Sequence, residues 1–136
     1  MNAAPKNLSR RFATPGWTVD RFAEFWTAPA AEDVPPLVCD DVIGWWPRAD
    51  EPVRGVEAYT QALADLLKVL PDIKLTVAES ASNGDDHFVR WVMRATGLKG
   101  PFTLTGIDRV RVRDGRVAEN IIRFDSEHLK RLAGFV

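Results

Sequence analysis

The stretch Leu104–Val117, LTGIDRVRVRDGRV, reads as a β-strand running into a tight turn. Side chains along a strand alternate between two faces. Phe102, Leu104, Gly106, Asp108, Val110 and Val112 therefore share one face, while Thr103, Thr105, Ile107, Arg109, Arg111 and Arg113 share the other. Asp108 is the one charge on the apolar face. The strands on either side decide whether it is a solvated edge group or an acid placed in a pocket.

The chain has 136 residues, 46% hydrophobic and 27% charged, enough for one ordinary globular domain with its own core. Residues 1–16 read as a flexible tail and 17–136 as a single domain. The 18 basic and 19 acidic residues give a net charge of −1, without the basic excess expected for nucleic acid or an anionic membrane. The single cysteine, Cys39, has no partner for an internal disulfide and reads as a small buried hydrophobe. The N-terminal segment lacks the apolar middle of a secretory signal, and a cytoplasmic location is expected.

Helices come first. TVDRFAEFWTAP has Thr18 as a cap and Val19, Phe22, Phe25 and Trp26 at the spacing of one helix face, with Pro29 beyond. AAEDVPPLV allows a short helical restart, CDDVIGWWP a short strand closed by Pro47, and RADEP a loop. RGVEAYTQALADLLKVLP is the clearest helix, with Val56, Tyr59, Leu63, Leu66 and Leu70 on one stripe and Pro71 after it. Four extended segments follow, separated by the turn signals NGD, KG and DG, so an antiparallel meander is expected. SEHLKRLAG closes with a short helix, Ser126 as its cap and Gly134 as its terminator. This order predicts an α+β domain with helices covering one face of a curved sheet.

With Lys99 and Gly100 as a hairpin loop, Asp108 falls opposite Trp91, and Val89, Met93 and Ala95 share its face. A three-residue turn at Arg113–Asp114–Gly115 pairs Asp108 with Asn120, places Ala118, Ile122 and Phe124 inside, and pairs Arg109 with Glu119 outside. A two-residue Asp-Gly turn would instead bring Glu119 and Arg123 onto the apolar face, which is less favourable. Asp108 then sits among Trp91, Met93 and Asn120 with no cation on its own face, and desolvation should raise its pKa. Carboxyls perturbed in this way are candidates for acid/base chemistry.

Other polar groups are weaker candidates. His87 shares Asp108's face but lies about 13 Å away along the strand, at the rim. His128 reads as a surface residue of the last helix, and Asp40 and Asp41 as caps or turn formers at a helix-to-strand junction. Arg90, Arg94, Arg109 and Arg111 form a solvated outer stripe.

The helix RGVEAYTQALADLL and the final hairpin LTGIDRVRVRDGRVAENIIRFD resemble the SnoaL-like polyketide cyclase branch of the nuclear-transport-factor-2-like superfamily, which includes the ketosteroid isomerases. The resemblance spans roughly Trp17 to Phe135. It implies a cone-shaped α+β fold, a strongly curved and mostly antiparallel sheet with helices around a pocket. It also implies a homodimer through the sheet and no metal or organic cofactor. In the cyclases the acid matched by Asp108 is the general acid/base, and in ketosteroid isomerases it is a protonated oxyanion-hole acid. Trp46 stands where the isomerases carry their base and Phe22 where they carry a tyrosine. Trp91, Met93 and Ile122 replace the Asp-Arg-Asp set of the epoxide-hydrolase branch. These departures disfavour both activities.

The expected function is a cofactor-independent cyclase, isomerase or dehydratase acting on a small apolar, cyclic or aromatic carbonyl compound. Asp108 would be the acid/base and Asn120 would orient the acid or the substrate, with Trp91, Met93, Trp46, Phe22, Trp26, Tyr59 and Leu63 around the substrate. The alternative is a non-catalytic ligand-binding or dimerisation module of the same fold.

Overall fold

A computed structural model describes residues 16–134 of the chain. The expected tail, residues 1–16, lies outside the described residues except for Gly16. Helix α1, Val19–Phe25, starts where the Thr18 side chain accepts from the Arg21 backbone N–H at 3.1 Å, and it buries Phe22 and Phe25. Two short 3₁₀ turns, Ala31–Asp33 and Pro35–Leu37, stand where the restart was expected. Strand β1, Val38–Trp45, follows.

The expected loop holds over 48–52, and a two-residue strand β2, Val53–Arg54, follows it antiparallel to β1. Helix α2 then runs Val56–Val69 and buries Tyr59 and Leu63, one turn apart on the expected stripe. Strands β3 (Lys74–Asn83), β4 (Asp86–Gly97), β5 (Gly100–Arg113) and β6 (Arg116–Arg123) form the antiparallel meander. Helix α3, Ser126–Ala133, ends at Gly134 in the left-handed region. Its cap is Asp125 rather than Ser126, because the Asp125 side chain accepts from the His128 N–H at 2.9 Å. His128 itself is half-buried.

The six strands form one curved sheet ordered β2-β1-β6-β5-β4-β3. β1 lies parallel to β6, the one parallel pairing among the described residues. Asp40 and Asp41 neither cap nor turn. They are exposed within β1, where its pairing with β6 shifts register, and Asp41 meets Arg113 at 2.5 Å. Three of the outer arginines are ion-paired rather than simply solvated: Arg109 and Arg111 bridge Asp86 and Glu119, and Arg90 meets Glu79.

Both hairpin registers differ from expectation, yet the faces stay as read. At the β4–β5 turn the loop residues are Leu98 and Lys99, with Gly97 facing Gly100, so Asp108 pairs with Val89 and Trp91 with Gly106. The reason is tertiary. α3 presses on this turn, with the Leu98 N–H donating to the Ala133 carbonyl at 3.2 Å, and a Cβ on Gly97 would run into the Leu132 backbone. A slip of two residues leaves every side chain on its original face.

At the β5–β6 turn the loop is the two-residue Asp114–Gly115, with φ of 55° and 76° as a tight hairpin turn requires. A bulge between Arg111 and Val112 then inserts one residue. Val117 points inward in place of Ala118, and Asn120 stays on the inner side while Arg123 is exposed. The bulge therefore supplies the extra residue that a three-residue turn was expected to provide.

Candidate active site

The helices and the inner sheet face enclose a cavity of about 290 Å³, near the lower end of the range for small-ligand sites. Asp108, Asn120, Trp91, Met93, Trp46, Phe22, Trp26, Tyr59 and Leu63, all singled out from sequence, line it. Trp17, Phe25, Phe124, Ser126 and Lys130 line it too and were not foreseen as site residues. Trp17 is held there by its backbone N–H, which donates to the Gly115 carbonyl at 2.7 Å. Among the described residues no three His, Cys, Asp or Glu side chains are grouped to hold a metal ion.

Asp108 and Asn120 are each only 6% exposed. The Trp91 indole N–H donates to Asp108 Oδ1 at 3.0 Å. Trp91 is diagonal to Asp108, not opposite it, and its ring reaches the acid by lying over Gly106. A Cβ on Gly106 would overlap that ring and approach the Arg123 carbonyl to 2.8 Å, so the glycine is a packing requirement of the site. Asn120 Nδ2 donates to Asp108 Oδ2 at 3.0 Å and to the Tyr59 hydroxyl oxygen at 3.1 Å. Tyr59 comes from α2, and its ring is packed edge-on by Trp46 at 5.4 Å. The Asn120 Oδ1 is buried without a donor among the described residues, an arrangement that costs stability and concentrates at working sites.

Burial raises the Asp108 carboxyl to about 6, against the lowering effect of the Asn120 and Trp91 hydrogen bonds. Two neutral donors thus offset only part of the loss of water. Such an acid is ionised for the most part at neutral pH yet lies close enough to it to take up or release a proton without a large driving force. Burial likewise pushes the Tyr59 phenol well above its ordinary value, opposed by the Asn120 hydrogen bond and helped by the Asp108 charge. Tyr59 therefore stays protonated at neutral pH.

His87 pairs with Val110, two pairs along from Asp108–Val89, which brings it closer than the separation expected from sequence. Its ring is taken up by the Ser82 hydroxyl at 2.7 Å and by Trp17 at a centroid distance of 5.2 Å, at the edge of the pocket wall. The sheet pattern shows no cation on Asp108's face, but α3 brings Lys130 to the cavity lining. Cys39 is buried away from this cavity, with its Sγ near the Arg113 and Arg116 carbonyls.

A family model described as a SnoaL-like domain matches residues 19–120. The chain belongs to the SnoaL-like domain family. No significant match is found among curated proteins. Solved structures show the same fold. Wild-type IdmH from Streptomyces antibioticus, a putative polyketide cyclase by its description, is 23% identical with TM-score 0.71, over 85% of this chain and 95% of that one. TerC, crystallised with polyporic acid, is 22% identical with TM-score 0.70, over 83% and 92%. A protein of ketosteroid isomerase-like fold from Catenulispora acidiphila, in complex with trimethylamine, is 15% identical with TM-score 0.75, over 98% and 96%. These likenesses support the cone-shaped α+β architecture of the SnoaL-like chain. Among the described residues no helix is long and apolar enough to cross a membrane.

Proposed function

We propose that this SnoaL-like chain is a cofactor-independent acid/base enzyme of the cyclase, isomerase or dehydratase type. Its substrate would be a small apolar, cyclic or aromatic carbonyl compound. The observation that carries the proposal is the Asp108 carboxyl at the wall of an aromatic cavity, each oxygen held by an uncharged donor. Ionised Asp108 removes a proton from the carbon next to the substrate carbonyl, and the electron pair of that C–H bond passes into the enolate. The protonated acid then returns its proton to carbon or oxygen, completing an isomerisation, a ring closure or loss of water. Trp91 and Asn120 fix the carboxyl plane, and Trp46, Phe22, Trp26, Met93 and Leu63 hold the apolar body and exclude water.

The test is exchange of the α-hydrogens of 2-tetralone for deuterium in D₂O, followed by NMR with wild type and Asp108→Asn. Faster exchange with wild type, reduced about 10²- to 10⁴-fold in the variant, is the expected result. Binding without exchange would favour the second reading, a ligand-binding module, which draws support from Trp46 at the position where ketosteroid isomerases carry their base. The homodimer implied by the resemblance would use the outer sheet face, where Phe88 and Ile107 stand 42% and 39% exposed. Sedimentation equilibrium giving the mass of one protomer at micromolar concentration would contradict it.

A further inference from the structure

The cavity carries opposite charges on different elements. Asp108 lies within the sheet, 6% exposed, and Lys130 reaches the lining from α3. Among the described lining residues Lys130 is the one cation and Asp108 the one acid. The Lys130 side chain is 49% exposed, so it is shared between the pocket wall and solvent. Its ion-pair neighbour Glu127 stands at 3.5 Å on the same helix and is 52% exposed, a contact too loose and too wet to occupy the ammonium group.

Ser126 lies one helical turn before Lys130 and lines the same cavity, adding a hydroxyl donor. Leu129 and Ala133, on the adjoining face of α3, are buried and fix the rotation of the helix, which leaves Ser126 and Lys130 at the cavity lining. The remaining lining is overwhelmingly apolar, so a ligand's charged group has few other places to sit.

We propose that the substrate carries an anionic group, a carboxylate or an ionised enol, which binds Lys130 and Ser126 at the α3 side of the cavity while the apolar rings fill the remainder. This rests on the acid/base function above and gives that site a polarity. An anion placed at Lys130 is attracted there and repelled by ionised Asp108. The ligand therefore binds with its neutral, reacting carbon toward the acid. A cationic substrate would be turned the other way, its charge drawn to Asp108.

The experiment compares two ligands of one shape, 2-naphthylacetate and 2-naphthylacetamide, by calorimetry at low salt with the full chain. Wild type should bind the carboxylate about three- to tenfold more tightly than the amide, a preference that added salt erodes. Lys130→Met should bring the ratio to one or below, and Lys130→Arg should retain the preference. Equal affinities in wild type, or a preference that survives in Lys130→Met, would overturn the assignment of Lys130 and leave the acid/base reading standing. Failure of both ligands to bind would overturn the cavity as an aryl-ligand site, and this proposal with it.

Discussion

The charge of Asp108 should make stability depend on pH in a direction opposite to that of the hydrogen-bonded acids outside the cavity. The folded-state carboxyl is raised to about 6, against about 3.9 in an unfolded chain. Between these values the folded state binds more protons than the unfolded state, so stability falls as pH rises. A difference of about two units at 1.36 kcal/mol each is a deficit on the order of 3 kcal/mol, complete above pH 6 and absent below about pH 4.

Asp41, Asp72, Asp86, Glu119 and Asp125 shift the other way, each lowered chiefly by a hydrogen bond. They contribute stability that is present at neutral pH and lost as acid protonates them, which would mask the Asp108 effect in wild type alone. Subtracting the curve of Asp108→Asn cancels them. In that variant the amide oxygen at position 108 can still accept from Trp91. The new N–H₂ would face that of Asn120, and a half-turn of the Asn120 amide resolves the clash by presenting its oxygen to the new N–H₂ and to the Tyr59 hydroxyl.

The assay is urea unfolding followed by far-UV circular dichroism at half-unit steps from pH 4 to 8, with the slope m checked for constancy. Relative to wild type, Asp108→Asn should gain about 3 kcal/mol on going from pH 4 to 7, most of it before pH 6. A flat difference, or one in which wild type gains, would refute the reasoning. It would mean that the Trp91 and Asn120 hydrogen bonds outweigh desolvation and hold Asp108 as an ordinary carboxylate.

Trp91→Phe keeps an aromatic side chain, smaller than the indole, and loses the N–H at 3.0 Å from Asp108; the acid's midpoint, read by carbon-detected NMR, should rise by about one further unit. Gly106→Ala should destabilise by about 1–3 kcal/mol in thermal unfolding and shift the Trp91 indole N–H resonance, because the new methyl occupies the space of that ring. Asp125→Ala should cost about 1 kcal/mol as the loss of the α3 cap, whereas Ser126→Ala should leave thermal stability within about 0.5 kcal/mol. Equal losses from the two would contradict the cap assignment.

The inner face of the sheet was legible in the sequence because alternation has a period of two, and the register shift at β4–β5 was even. Asp108, Asn120, Met93 and Trp91 therefore reach the cavity although Asp108 pairs with Val89 and Ile122 rather than with Trp91 and Asn120. The registers themselves were not legible, since α3 packing on the Gly97 turn chooses one and a bulge near Val112 chooses the other. Lys130 and Trp17 escaped for the same reason: their place at the cavity comes from packing between distant segments, not from any local period. One signal in β5 did carry the missing geometry. Gly106 interrupts an otherwise substantial apolar face two residues before the acid, and a glycine inside a strand marks a close approach by another group. That group is the Trp91 indole, so the pair of Gly106 and Trp91 supplies a buried hydrogen-bond donor that neither the charge pattern nor the hydrophobic pattern contains. The acid's setting thus depends on an omitted side chain as much as on those present. A relative that keeps Asp108 but fills Gly106 would have to hold its carboxyl differently, and with it the proton affinity on which the proposed chemistry depends.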